Sequence, residues 1–404
     1  MSTAPVHVDP TLVRAFDYHT DPEFVADPFA GFDAARGDRV FFSLAHGGYW
    51  VLTRADDIRA AFQHPELFSS HDFSIPTNVF PRTMRPLALD PPEHGKYRQP
   101  LAPLFSPPSV ARREPELREI CGGLVDAFAA DGRCELLEAL ARPFPTTVFV
   151  AMLGLPLSEA RTFEQSNHVM LHAYDDPPAR KAAGAQILAY LDDLVTRREA
   201  LGADGTDGTD GTDDILSVLL RARVDGRRLD HDELLDYAFM LFIAGLDTVT
   251  AMLSFTFQCL AERPDLQRRL VEEPGLVPQA VEELLRSHAI VNTARVVTED
   301  VTFAGVEMVA GDKVLLATAL ASRDEEEFLA ATDIVLDRDA NRHLAFGAGP
   351  HRCIGSHLAR LEVRIAIEEL LRRIPSFRLA PGESIVAHGG GVLGIDRLPI
   401  EWDV

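Results

Sequence analysis

The sequence predicts a mainly α-helical protein with small peripheral β-sheets. Apolar residues recur at helical spacing through most of the chain beyond about residue 100. Strand-like runs are short and confined to the regions near 38–53, 294–316 and 376–402. No Gly-x-Gly-x-x-Gly fingerprint follows a strand, which argues against a doubly wound α/β fold and a built-in nicotinamide or flavin domain.

Taken in order, residues 1–20 lack a basic segment and an apolar run and read as an N-terminal arm, with no signal peptide or membrane anchor. Arg39-Val-Phe-Phe-Ser and Tyr49-Trp-Val-Leu are rich in the aromatic and β-branched residues that strands favour. Asp90-Pro-Pro-Glu-His94-Gly-Lys-Tyr-Arg98 opens a helix with His94 and Arg98 four residues apart on one face. Periodicity then predicts helices over 108–130, 157–172, 180–200, 213–221, 230–262, 266–272, 276–288 and 356–374. Residues 202–213 repeat Gly-Thr-Asp without apolar content, the composition of a flexible acidic loop. Their carboxylates alternate with glycine, but the spacing matches no EF-hand loop.

The chain of 404 residues, 46% hydrophobic, can bury a large core as one big domain or two lobes, and a single domain over residues 1–404 is the expectation. A formal charge of −23 disfavours nucleic acid and anionic membranes as partners. Cysteines 121, 134, 259 and 353 show no paired spacing, which excludes a disulfide framework and suits a reducing cytoplasm. A soluble cytoplasmic monomer is expected.

Within the 230–262 helix, Asp230 and Glu233 form a capping box, and Pro264 marks the far end. Tyr237 to Leu260 is apolar on nearly every side. A membrane span is disfavoured by Asp236 and Asp247 inside the stretch, which leaves a helix threading a protein core. Midway stands Ala244-Gly245-Leu246-Asp247-Thr248. Glycine inside a helix costs about 1 kcal/mol against alanine, and a small pair opens a groove. An acid next to an alcohol can relay protons. The plainer reading is a threonine bonding back to a helix carbonyl beside a buried, hydrogen-bonded acid.

In Phe346-Gly-Ala-Gly-Pro-His-Arg-Cys353-Ile-Gly355, one cysteine sits between glycine-rich backbone and an amphipathic helix. Glycines 347, 349 and 355 allow positive φ and close backbone approach. Free N–H groups and the helix dipole are expected to lower the thiol pKa and hold a thiolate, as haem-thiolate ligation requires.

Phe346, Gly347, Gly349, His351, Cys353 and Gly355 resemble the cysteine loop of cytochromes P450. Residues 244–248 resemble that family's oxygen-activation motif, Glu283-Leu-Leu-Arg286 its Glu-x-x-Arg, and the Asp90–Arg98 segment its Asp-x-Pro-x-His-x-x-x-Arg. Residues 324–338 depart from the pattern, lacking its Asp-Pro and Phe-Asp pairs. The resemblance implies the P450 fold and haem b (iron protoporphyrin IX) ligated by Cys353. It implies haem contacts from His94, Arg98, Arg295 and His351 at the propionates, and from Phe346, Gly347, Gly355, Ala244 and Gly245. Asp247 and Thr248 would be catalytic in dioxygen cleavage, and Glu283, Arg286 and Arg338 structural.

The same resemblance assigns substrate contacts to Phe73, Ile75, Phe80, Leu87, Met240, Ile243, Val291, Thr293, Val392 and Leu393. These are nearly all apolar, so a small hydrophobic substrate is expected. Gly245–Val249, Arg373–Phe377 and Pro399–Asp403 look like the camphor-hydroxylase branch and suggest a monoterpenoid-sized substrate; a fatty acid, steroid or polyketide stays open. Electrons from NAD(P)H would arrive through a ferredoxin reductase and an acidic ferredoxin, steered to Lys96, Arg98, Arg342, Arg352, Arg360 and Arg364. A peroxide-driven peroxygenase and a non-enzymatic haem-thiolate sensor are the alternatives; neither needs the Asp247–Thr248 pair.

Overall fold

The computed structural model describes residues 4–77, 79–155, 160–173, 176–201, 214–339 and 341–404, and the Gly-Thr-Asp repeat lies outside them. Helices dominate, as the periodicity predicts. The expected helix over 108–130 is two helices, Pro107–Ala111 and Glu114–Asp126. Pro143–Leu153 was not foreseen, because it is apolar and buried on nearly every side and leaves no amphipathic stripe to read.

Short strands join across long stretches of chain. A six-stranded sheet runs in the order Val13–Arg14, Val40–Ser43, Tyr49–Leu52, Lys313–Ala317, Asn292–Val297, Phe68–Ser69. The two central runs from the first hundred residues, Val40–Ser43 and Tyr49–Leu52, are buried at every position. The N-terminal arm belongs to this frame. Val13–Arg14 is its edge strand, paired parallel to Phe42–Ser43, and Val8 and Tyr18 are buried. The arm also braces a C-terminal hairpin, Val386–His388 with Gly394–Arg397. Gly390 N–H donates to the Tyr18 carbonyl over 3.2 Å, and a Cβ on Gly389 would lie 2.3 Å from the same oxygen.

The long helix comprises His231–Leu246 and Thr248–Glu262, with the hydrogen-bond ladder interrupted at Asp247. Its capping box is formed: Asp230 Oδ1 accepts from Glu233 N–H at 2.9 Å, and Glu233 Oε2 accepts from Asp230 N–H at 3.0 Å. The helix is long and apolar enough to cross a membrane, but it is mostly buried inside the protein. Asp236, an acid on this helix, pairs with Arg82 and Arg85. A Cβ at Gly245 would fall 2.5 Å from the Phe149 ring, so the glycine admits the unforeseen helix as a close neighbour.

Arg286, fully buried on Val277–Ser287, forks onto Glu283 with contacts of 2.8 and 2.9 Å. Arg338 reaches the same carboxylate at 3.0 and 3.1 Å, and Val335 N–H adds a 2.8 Å bond. Arg286 also donates to the carbonyls of Ser322, Ala331 and Asp333. The divergent 324–338 segment is therefore tied down by backbone carbonyls, which do not depend on its side chains. Burial would raise the Glu283 pKa; the two guanidiniums outweigh it and hold the carboxyl below its ordinary value. Removing one partner from such a buried set leaves charge uncompensated, so Glu283→Ala should cost about 3–5 kcal/mol in urea unfolding. Arg378→Ala, which removes an exposed pair with Glu401, should cost less than about 1 kcal/mol.

Candidate active site

The cysteine loop lies on the end of helix Ala55–Gln63. Gly347 and Gly349 have φ of +64° and +66°. A Cβ at Gly349 would sit 2.3 Å from the Phe62 carbonyl oxygen, so only glycine fits there. Gly355 departs from expectation: its φ is −78°, and a Cβ would meet only Cys353 Sγ, at 3.9 Å. Cys353 N–H donates to the Phe346 carbonyl at 2.9 Å, closing the loop just before helix Ser356–Arg373.

The expectation of a thiolate held by dipoles alone needs correction. Burial pushes the Cys353 thiol above its ordinary value; the Gly355 N–H and Arg98, Arg352 and Arg360 pull the other way without offsetting it. Desolvation of a charged sulfur is the larger effect here.

Cys353 lines an internal cavity of about 400 Å³, together with Phe346, Gly347, Gly355, Ala244, Gly245 and Thr248. His94, Arg98, Arg295 and His351 line it too. Arg295 is 4% exposed, donates to the Ala294 carbonyl at 2.7 Å and makes no salt bridge among the described residues. Burial lowers its pKa to about 10. His94 and His351 face each other with ring centroids 4.0 Å apart. Burial, then the neighbouring guanidiniums, lower them to about 4 and about 2. His94 Nε2 and both His351 nitrogens are buried without partners. Buried cations and orphaned nitrogens around an apolar hollow call for an anionic ligand. A porphyrin with two carboxylates and an iron facing a sulfur fits these residues.

Of the expected substrate contacts, Phe73, Ile75, Phe80, Leu87, Met240, Ile243, Val291, Thr293 and Val392 line this cavity. Phe73 and Phe80 stack at 5.4 Å, and Val291 bridges to Val392. Leu393 is not in the wall. It is fully buried and donates its N–H to the Ile290 carbonyl, because adjacent residues of extended chain point to opposite sides.

The acid and the alcohol part company. Thr248 lines the cavity, and its Oγ1 donates to the Ala244 carbonyl at 2.9 Å. Asp247 is absent from that wall and pairs with His172 Nε2 at 3.1 Å. Burial would raise the Asp247 pKa; His172 more than offsets this and brings it to about 2.

Three titratable wall residues were not anticipated. His172 and His288 lie in segments without a motif. Glu362 sits at helical spacing from Leu358 and Ile365, so an acid on the buried stripe of its helix was the available signal. It is buried, its Oε2 lacks a partner, and burial raises its pKa to about 8.

The expected basic face is largely answered by acids. Lys96 pairs with Glu93 and Asp225, Arg342 with Glu327, Arg360 with Glu282 and Arg364 with Glu114. Arg98 turns into the cavity, and Arg352 stays exposed.

The cytochrome P450 family model matches residues 35–386. A probable cytochrome P450 127A1 of Sinorhizobium fredii is 35% identical, over 98% of this chain and 96% of that relative. Mycinamicin IV hydroxylase/epoxidase of Micromonospora griseorubida is 36% identical, over 87% and 89% of the two chains. The crystal structure of CYP101C1 superposes with a TM-score of 0.88 at 29% identity, covering 100% of both chains.

Glu362 makes stability depend on pH. Its raised value means that the folded protein keeps a proton the unfolded chain loses, so stability should fall as pH rises from about 4.5 to about 8. Glu362→Gln should remove several kcal/mol of that decline, read as a flatter Tm between pH 5 and 9.

Proposed function

The chain belongs to the cytochrome P450 family of monooxygenases, and we propose from that premise that it inserts one oxygen atom of dioxygen into a C–H bond of a small apolar substrate. One observation carries the reading. A single cavity presents a cysteine sulfur, two guanidiniums without acids, two histidines with free nitrogens and an almost wholly apolar remainder.

Cys353 would hold the iron through its sulfur. Arg98, Arg295, His94 and His351 would receive the two carboxylates, Arg being the side chain best matched to them. Bound haem supplies the iron at which dioxygen is reduced and cleaved. The glycine backbone at 347 and 355 and the small residues Ala244 and Gly245 leave room for the macrocycle. Thr248 would hand protons toward the oxygen, its hydroxyl held in orientation by the Ala244 carbonyl. Phe73, Phe80, Met240, Val291 and Val392 would exclude water and set the substrate by shape.

A monoterpenoid-sized ligand suits this wall and the likeness to the camphor-hydroxylase branch. Electrons from NAD(P)H would come through a reductase and a separate ferredoxin, docking near Arg352. A cytoplasmic site of action agrees with unpaired cysteines, which are free at all four positions.

Cys353→Ser should abolish the red-shifted Soret band of the reduced carbon-monoxide complex; a normal band there would remove Cys353 as ligand. Thr248→Ala should keep that band and the substrate-induced spin shift. It should divert reducing equivalents to peroxide, lowering product per NAD(P)H roughly tenfold or more. Unchanged coupling would reject the alcohol as a relay. Product formed from peroxide but never from ferredoxin and dioxygen would overturn the monooxygenase reading.

A further inference from the structure

A titratable cluster starts in the cavity wall at His172 and extends behind it. His168 and His172 come from helix Ala160–His172, Asp247 from the long helix, and His388 and Asp396 from the C-terminal hairpin. His172 Nε2 is 3.1 Å from Asp247 Oδ2, and the His172 side chain is 4% exposed. Its ring lies over that of His388, with centroids 3.7 Å apart at 41°. His388 Nδ1 is 2.8 Å from Asp396 Oδ1, and His168 Nε2 is 3.7 Å from the same oxygen. The His168 side chain is 40% exposed, so the cluster runs from solvent to the acid beside Thr248.

A second, small cavity of about 20 Å³ lies along this path, lined by His168 and Asp247 with Arg142, Thr146, Asn167 and Thr250. That is room for one water, which needs about 10–15 Å³ and two or more polar partners. Thr146 Oγ1 and Asn167 Oδ1 are buried without partners, as a water site requires. Arg142, itself paired with Glu138, is the cation that borders the site.

The resting charges give the cluster a direction. Asp247 is held ionised, and an ionised carboxylate only accepts hydrogen bonds, so the proton in the 3.1 Å contact sits on His172. Asp396 is likewise held ionised by His388. Asp247 carries no proton of its own at neutral pH. It can pass one on only if an imidazole supplies it. His172 Nδ1 and His388 Nε2 are both buried without partners, so the imidazole pair has vacant positions where a proton can be taken up.

We propose that His172, resupplied from solvent through His168, whose ring lies 5.0 Å from its own, is the proton source for Asp247. The inference rests on the monooxygenase reading. There, substrate, dioxygen, two protons and two ferredoxin electrons give hydroxylated product and one water. Each proton enters at the vacant His172 Nδ1 to give an imidazolium, whose Nε2 proton then passes to Asp247 Oδ2 and leaves the imidazole neutral; rotation of the carboxylic acid toward Thr248 delivers it. His172 acts through Asp247 and so counts as a positioning residue with a proton to give.

The test compares His172→Gln, His168→Gln and wild-type holoenzyme, driven by ferredoxin with dioxygen or by hydrogen peroxide, which brings its own protons. Glutamine can still donate to Asp247 but cannot carry a proton through. For His172→Gln, the ratio of ferredoxin-driven to peroxide-driven product should fall roughly ten- to hundredfold. For His168→Gln, on the surface and safe for folding, the ratio should fall in the same direction, with a larger solvent isotope effect. The Soret band of the reduced carbon-monoxide complex should stay in place in both. In that diamagnetic form, NMR of ¹⁵N-labelled histidine should show the His172 Nε2–H signal moving when Asp247→Asn replaces the anionic acceptor with a neutral amide. An unchanged ratio, an equal loss in both regimes, or an unmoved His172 Nε2–H signal would overturn the proposal. A wild-type protein without the shifted band would instead overturn the haem-thiolate reading beneath it.

Discussion

Arg295 is a buried cation that forms no salt bridge among the described residues, and the rest of the site is arranged around that imbalance. An isolated charge away from water is among the most costly things a fold can carry. Here it is held by its own strand and by the Ala294 carbonyl, next to a second guanidinium and two histidines that carry three unpartnered ring nitrogens between them. Such an arrangement persists because an anionic partner completes it. Binding to the folded state alone then stabilises that state by mass action, so folding and cofactor loading are one linked equilibrium.

The cysteine obeys the same logic from the other side. Dipoles and three arginines favour its anion, yet desolvation outweighs them and pushes the thiol above its ordinary value. Only a bound metal shifts that balance, since a coordinating thiol is deprotonated outright. The protein contributes position. Gly349 has no room for a side chain against Phe62, and the Cys353–Phe346 backbone bond closes the loop. Neither half of the site is at ease without the porphyrin, and that shared demand reads more surely than any single residue.

What was legible in the sequence follows the range of the interactions. The cysteine loop, the capping box and the Glu283–Arg286 pair are local patterns, and each is readable from a few consecutive residues. Val392 and Leu393 differ only by the alternation of extended chain, whose phase is set by the Val291 bridge a hundred residues away. Asp247 was read with Thr248 as one acid–alcohol relay, but consecutive helical residues point in different directions, and only Thr248 lines the cavity. The histidines that meet it come from positions 168, 172 and 388, on a helix and a hairpin that share no local signal. Pro143–Leu153 was missed for the opposite reason: burial on all sides erases periodicity, and only Gly245, which makes space for Phe149, hints that a neighbour passes there.

The first twenty residues looked like packaging, yet Tyr18 presses its carbonyl against Gly389 and Gly390, one residue from His388. The hairpin thus inherits its position from the start of the chain. Trimming that leader would act at a distance, loosening one wall of a proton path some 370 residues downstream while leaving every motif in the sequence intact.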